Sequence, residues 1–426
     1  MTVIIFLGSM LGAMALGMPI AFTLIVCALA LMWAQGGAID MTLLSQKFVE
    51  GADSYPLLAI PFFVLAGELM NAGGMSKRIV HFALAGVGHI RGGLGIVAVF
   101  AAILLAAISG SAAADAAALG TMLIPMMRQA GYNIPRSAGL IAAGSIIAPV
   151  MPPSVAMIVF GVVANVSIGK LFMAGIFPSL MMGLSLIIAW MWVVRRENYA
   201  VQPRKSLREM LDATRKAVLA LVMPLGIIGG MKFGVFTPTE AGVAASAYAL
   251  FVGVFIYREL KLKDVYKLLV TAAKTSSVIM FLIASALVSA WLITTSSVPQ
   301  QIAALLQPFM DSPRLLMFAM MVLVVIVGTA LDFAPTLLIL TPVLMPIVKQ
   351  AGIDPVYFGV LFIMNNAIGL ITPPVGIVLN VLSGVARISM GAVVKGVWPF
   401  MIAQLIVLFL LVLFPDLVLV PMKWLR

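Results

Sequence analysis

Long apolar runs alternate with short polar or basic stretches along the whole chain, and several runs are too long or too interrupted to be simple helices. Residues 3–33 are apolar with a Gly17-Met18-Pro19 interruption, and residues 56–72 form a second apolar segment. A basic stretch with Lys77, Arg78, His81, His89 and Arg91 follows. Gly92–Met127 exceeds the roughly 20 residues that one span needs, and its centre, Ser109 to Asp115, is small and polar. That pattern predicts two short helices meeting at a tip, a re-entrant hairpin. Ser137–Val163 is apolar but interrupted at Pro149–Ser154, which predicts a broken helix, and Leu171–Val194 is a clean span. The one long polar segment, Arg195–Lys216, carries seven basic residues (among them Arg195, Arg196 and Arg204) and three acids. Spans near 218–235 and 240–257, a basic stretch Arg258–Lys274 and a span near 275–293 come next. The second half then repeats the first. Leu315–Val348 has a polar centre at Gly328–Asp332, Pro355–Ala386 is broken at Thr372-Pro373-Pro374, and Val397–Leu419 is the last span.

The two Pro-Pro pairs, Pro152-Pro153 and Pro373-Pro374, lie 221 positions apart. The same offset relates Pro125 to Pro346, Gln129-Ala130-Gly131 to Gln350-Ala351-Gly352, and Gly175 and Pro178 to Gly396 and Pro399, with no gap needed. Two interruptions at matching points of an internal repeat are the sequence signature of a secondary transporter. Flanking charge predicts that the repeat is inverted. Arg128 and Arg136 bracket the first loop unopposed and place it inside, whereas Lys349 and Asp354 cancel around the second and place it outside. The C-terminal Lys423 and Arg426 run against that scheme. The predicted fold is therefore an all-α polytopic membrane protein with two inverted-topology repeats, each holding a re-entrant hairpin and a broken helix.

Composition agrees. Of 426 residues 63% are hydrophobic and 10% charged, and the mean hydropathy is +1.17; a soluble domain carries about 25% charged residues. The net charge of +11 sits between apolar segments, so it reads as topology signal rather than a nucleic-acid surface. No Lys or Arg precedes Lys47, so the basic start of a cleavable signal peptide is missing. Cys27 is the only cysteine, which excludes an internal disulfide or a cysteine metal cluster. His81 and His89 are the only histidines, and no HExxH, CxxC or Walker A pattern occurs. The chain reads as no enzyme and as no ATP-hydrolysing pump.

A helix interrupted in hydrocarbon leaves unpaired backbone groups that cost several kcal/mol each, so the break must face protein, water or a ligand. Proline removes a donor. The freed carbonyls suit a small hard cation, and the half-helix that begins after the break offers its positive end to an anion. Each tip is expected to meet its own break and form one Na⁺ site. The first would use Ser109, Ser111 and carbonyls near Met151, Pro152 and Pro153; the second Gly328, Asp332, Thr372 and carbonyls near Gly369 and Val375. Ser154, Asn365, Asn366, Pro373 and Pro374 are the candidate substrate contacts. Ionisable residues inside a membrane are functional candidates, here Asp115, Lys232 and Glu240, although Lys232 and Glu240 could instead pair and hold two helix ends. The small residues at the tips could also serve close helix packing. A channel would need similar polar breaks without a paired solute site.

Gly17-Met18-Pro19-Ile20-Ala21-Phe22, Phe236-Thr237-Pro238-Thr239-Glu240-Ala241, the Ser109–Asp115 tract and both Pro-Pro breaks together resemble the large membrane subunit of TRAP (tripartite ATP-independent periplasmic) transporters, over essentially the whole chain. The resemblance implies Na⁺-driven import of a small organic anion (a sugar acid, sialic acid or a C4-dicarboxylate) across the bacterial inner membrane; a channel or a stand-alone ion-coupled anion symporter of related fold is the alternative. It implies two partners, a small four-helix membrane subunit and a periplasmic solute-binding protein. Because the chain starts directly on the large-subunit pattern, the small subunit is expected as a separate polypeptide. It also implies an elevator: scaffold helices in 1–91 and 217–300, a transport domain in 92–194 and 315–426, and a cytoplasmic basic linker at 195–216.

Overall fold

The computed structural model describes residues 2–35, 40–195, 197, 199, 204–296, 301, 309 and 312–424. Arg196 and Arg426, two charges of the topology reading, lie outside them. Among the described residues all regular structure is helical. Six helices are long and apolar enough to cross a membrane, as a multi-pass membrane protein requires.

The first helices are α1 (Thr2–Ala15), α2 (Ile20–Ala34), α3 (Met41–Ala52), α4 (Ala59–Ala72) and α5 (Met75–Val87). Gly17, at φ +74°, turns the chain between α1 and α2. A hairpin and a broken helix follow. Helices α6 (Gly93–Ser109) and α7 (Ala112–Gln129) meet at Gly110, whose φ of +60° suits glycine. Helices α8 (Ile134–Ser145) and α9 (Val155–Ala164) are separated by a non-helical stretch centred on the Pro-Pro pair. The long span α10 (Ile168–Val194) closes this half. After α11 (Leu207–Lys232), α12 (Pro238–Phe251) and α13 (Leu262–Thr295), the pattern recurs. Helices α14 (Pro313–Ala330) and α15 (Phe333–Gln350) form a second hairpin, α16 (Pro355–Gly369) and α17 (Ile377–Ala386) a second broken helix, and α18 (Met390–Leu413) a second long span before the short α19 (Asp416–Trp424).

The caps explain the boundaries and refine the register. Ser111 caps α7 and Asp332 caps α15, 221 positions apart. Past the Pro-Pro pairs the offset becomes 222: left-handed Asn165 and Arg387 end α9 and α17, and Ser167 and Ser389 cap α10 and α18. The ungapped alignment thus fails here; the second break holds one extra residue, which the following helix gives back before Gly396. Two segments predicted as polar connectors are also partly helical. Ser206 and Glu209 form a reciprocal cap that starts α11 inside the basic linker. Helix α13 runs unbroken through Lys263–Lys274 into its span, since no Gly or Pro interrupts 262–295.

Two groups of packed helices stand out, joined to each other where α6 lies on α5 and α4 and where α15 lies on α13. In one, α4 lies on α12, α2 and α3 lie on α13, and α5 lies on α11. In the other, α8 lies on α18, α7 on α17 and α14 on α16. The α8–α18 approach is a backbone contact: a Cβ on Gly396 would collide with the Pro135 carbonyl, and one on Gly139 with Gly396 itself. Both Pro-Pro peptide bonds are cis.

Candidate functional site

Each hairpin tip touches the break of the neighbouring helix. A Cβ on Gly110 would stand 3.2 Å from the Pro153 carbonyl oxygen, and one on Gly369 would stand 3.1 Å from the Gly328 carbonyl oxygen. Gly110 of the first tip is therefore beside Pro153, and Gly328 of the second tip beside Gly369. At the first tip the Ser109 hydroxyl donates to Asp115 Oδ1 at 2.6 Å, and the Ser111 amide donates to Ser109 Oγ at 3.2 Å. Asp115 is 2% exposed, and its second oxygen has no protein partner among the described residues. At the second tip Asp332 accepts from the Phe333 amide at 2.7 Å, in the cap position that Ser111 fills in the first half.

The two breaks differ in access. Met151, Pro152, Pro153 and Ser154 are buried, whereas Thr372 and Pro373 are half-buried and Pro374 and Val375 are exposed. Ser154 donates to the Pro149 carbonyl at 2.6 Å and caps α9 through the Met157 amide. The Thr372 hydroxyl donates to the Ile368 carbonyl at 2.8 Å, and the Val375 carbonyl accepts from Asn380 Nδ2 at 3.1 Å. Each of these oxygens keeps a lone pair.

Both tips open on one cavity of about 360 Å³. Its walls include residues 109–114 of the first tip, 332–334 of the second, Pro149 and Leu370 from the breaks, and Thr275 and Ile279 of α13. Four helices begin on this cavity: α7 with Ala112–Ala114, α9 with Val155 and Ala156, α15 with Phe333 and Ala334, and α17 with Ile377 and Val378. Each helix start carries roughly half a positive charge and unpaired N–H groups. No Lys or Arg lines the cavity among the described residues. The positive charge available there is that of the backbone helix starts, and the ionisable side chains on the wall are Glu68 and Asp332.

Glu68 is the residue the sequence reading missed. It projects from α4 beside Gly67 and Asn71. An acid inside the apolar run 56–72 was the available signal, by the same rule that singled out Asp115.

Several predicted residues lie away from this cavity. Asn365 is buried and donates to the Met321 carbonyl of α14 at 2.7 Å, an interhelical bond. Asn366 is buried beside it, with neither amide atom partnered by protein among the described residues. Ser154, Asn365, Asn366, Pro373 and Pro374 all lie off the cavity wall. Lys232 and Glu240 do not pair. Glu240 accepts from the Thr237 amide at 2.7 Å and caps α12, while Lys232 lies 6.0 Å from the Phe233 ring. Both are exposed at a helix junction, because the Thr-Pro-Thr-Glu sequence satisfies a cap before it can reach a cation.

Residues 7–417 match the family model of the DctM component of tripartite ATP-independent periplasmic transporters. The chain is 54% identical over its full length, and that of its relative, to the 2,3-diketo-L-gulonate TRAP transporter large permease protein of Escherichia coli. It is 39% identical to the sialic acid TRAP transporter large permease protein of Vibrio cholerae, across 95% of both chains. These relatives are transport permeases, not enzymes. The fold resembles the solved YdaH transporter of Alcanivorax borkumensis at a TM-score of 0.62 and 16% identity, covering 87% of this chain and 86% of that one. The chain belongs to the DctM-component family of tripartite ATP-independent periplasmic transporters.

Proposed function

We propose that this permease carries a small organic anion, with Na⁺, through the cavity between the hairpin tips. The observation that carries the reading is the convergence of four helix starts on a cavity without a basic side chain. An anionic carboxylate is held there by backbone N–H groups, as at other helix termini. Glu68 and Asp332 on the wall oppose an anion that arrives alone, so bound cations are needed to balance the charge. The oxygens at the two tip–break contacts fit a hard alkali cation. The first set is Ser109, Ser111 and the Met151–Pro153 carbonyls; the second is Gly328, Asp332, Thr372 and the Gly369 and Val375 carbonyls.

The matching hairpins and broken helices form an inverted repeat, and the two packing sets are scaffold (1–91 and 217–300) and transport domain (92–194 and 315–426) of an elevator. The strong likeness to the Escherichia coli relative favours a sugar acid such as 2,3-diketo-L-gulonate over sialic acid or a C4-dicarboxylate. The partners are the separate small membrane subunit and a periplasmic solute-binding protein, and the location is the bacterial inner membrane. The test is uptake into proteoliposomes holding both membrane subunits, supplied with the binding protein and a panel of organic acids. Uptake should need Na⁺ and accumulate solute against its gradient; transport unchanged when choline replaces Na⁺ would remove the coupling from this reading. Cysteines at Ile279 and Leu337, on the contacting helices α13 and α15, test the elevator. Cross-linking should stop uptake and reduction restore it, and full activity in the linked protein would refute the motion.

A further inference from the structure

A second cavity, of about 890 Å³, opens at the ends of α8, α10 and α18, away from the hairpin tips. Three cations line it: Arg136, Arg195 and Lys395. Among the described residues the only carboxylate there is Glu197, already bound to Arg136 and to the Tyr199 hydroxyl. The side chains of Arg195 and Lys395 are exposed and have no partner among the described residues. Two uncompensated cations thus face one polar recess, a strong electrostatic attractor for a phosphate or other oxyanion.

The surroundings identify the bearer of that phosphate. Trp192, 73% exposed, and Trp398, 48% exposed, flank the recess, and exposed tryptophan marks the membrane–water boundary. From this level two apolar stripes run along the helices at i, i+4 spacing. On α10 they are Ile188 and Leu184; on α18 they are Ile402 and Ile406, on the same helix face as Lys395. The α18 stripe continues into an apolar groove of about 410 Å³ along Phe409 and Leu413. A polar head with two cations above and an acyl track below fits an amphiphile, not a free ion.

We infer that this recess binds the phosphate headgroup of an anionic phospholipid, with Arg195 and Lys395 as the headgroup ligands and the α18 groove receiving an acyl chain. Basic pockets between spans bind such headgroups in this manner. The site uses none of the residues assigned to solute or Na⁺, so it stands or falls independently of the transport reading.

The test is native mass spectrometry and thermal unfolding of the purified full-length permease in detergent. The probes are phosphatidylglycerol, phosphatidylcholine and inorganic phosphate at equal concentration. Phosphatidylglycerol should give the dominant adduct and raise the unfolding temperature; phosphatidylcholine should bind weakly and inorganic phosphate should give no shift. At about 1 kcal/mol per basic residue, the Arg195→Gln/Lys395→Gln variant should lose affinity roughly 10- to 30-fold. The charge-keeping Arg195→Lys/Lys395→Arg variant should retain it. Lys205→Gln/Lys216→Gln, which removes the same charge from the exposed linker and α11, should behave as the parent. Equal binding of both lipids, a shift with phosphate alone, or an unaffected Gln variant would each overturn the site. So would equal losses in the Gln and charge-keeping variants, which would report folding rather than charge.

Discussion

A single methyl group at position 369 tests whether the second tip–break contact is an ion site. In Gly369→Ala the new Cβ would lie 3.1 Å from the Gly328 carbonyl oxygen and 3.5 Å from its carbon. Ordinary contact begins near 3.4 Å, so the two backbones must part by roughly 0.3 Å. Neither partner is a flexible side-chain end that could swing aside. Metal ligand distances tolerate about 0.2 Å, so the displacement exceeds what a coordinating carbonyl can absorb. Overpacking of this kind costs about 1–3 kcal/mol. If that cost falls on the Na⁺-bound form, Na⁺ affinity drops roughly 5- to 150-fold. The assay is the Na⁺ dependence of initial uptake in proteoliposomes, with unfolding temperature measured alongside. Gly384→Ala on the adjacent half-helix is the control, because a Cβ there meets nothing within 4 Å; it should leave Na⁺ dependence unchanged and slightly raise stability. A folded Gly369→Ala protein with the parent's Na⁺ half-saturation would refute the argument.

Four further outcomes are expected. Arg128→Gln removes a bond of 2.7 Å from Arg128 Nη2 to the Ala386 carbonyl that ends α17, and should lower stability by about 1.5–3 kcal/mol in thermal or denaturant unfolding. Trp190→Ala removes a buried indole that donates to the Gly92 carbonyl at 2.8 Å; a loss of about 3–5 kcal/mol should appear as low yield of folded protein in detergent, and Trp190→Phe should recover most of it. Glu240→Ala should lower the unfolding temperature slightly by removing its half of the α12 capping box without moving the Na⁺ half-saturation, since Glu240 is exposed and off the cavity. The Ser206 amide and Lys205 hold the exposed Glu209 carboxyl below its ordinary value. The first turn of α11 is therefore held above the ordinary carboxylate range and loosens as pH falls through it; hydrogen exchange of those amides at pH 7, 5 and 3.5 reports the change.

The breaks and tips were legible because their chemistry is local. Two successive prolines end a helix whatever surrounds them, and a small polar tract in an apolar run marks a turn, which the structure places at Gly110. Tertiary relations were not legible. Nothing local says that Gly396 faces Pro135, that Asn365 reaches Met321, or that Asn365 and Asn366 lie off the cavity wall. Glu68 was readable by rule, yet its place on the wall of the cavity between the tips is a relation between distant segments. The one-residue change of offset after the Pro-Pro pairs was hidden because Gly175 and Pro178 return to the 221 register and bracket it.

The close approach of the Gly139 and Gly396 backbones, together with the bond from the Arg128 side chain to the Ala386 carbonyl, joins the first half of the chain to the second. That joint bears on counting. Under the elevator reading, these contacts tie the transport part of one half to that of the other, so the two parts move together. Under the proposed mechanism, neither ion site can cross without the other. The two proposed sites then travel as a pair, and changing concentrations outside alters how often the carriage runs and how full it is, but not how many seats it has.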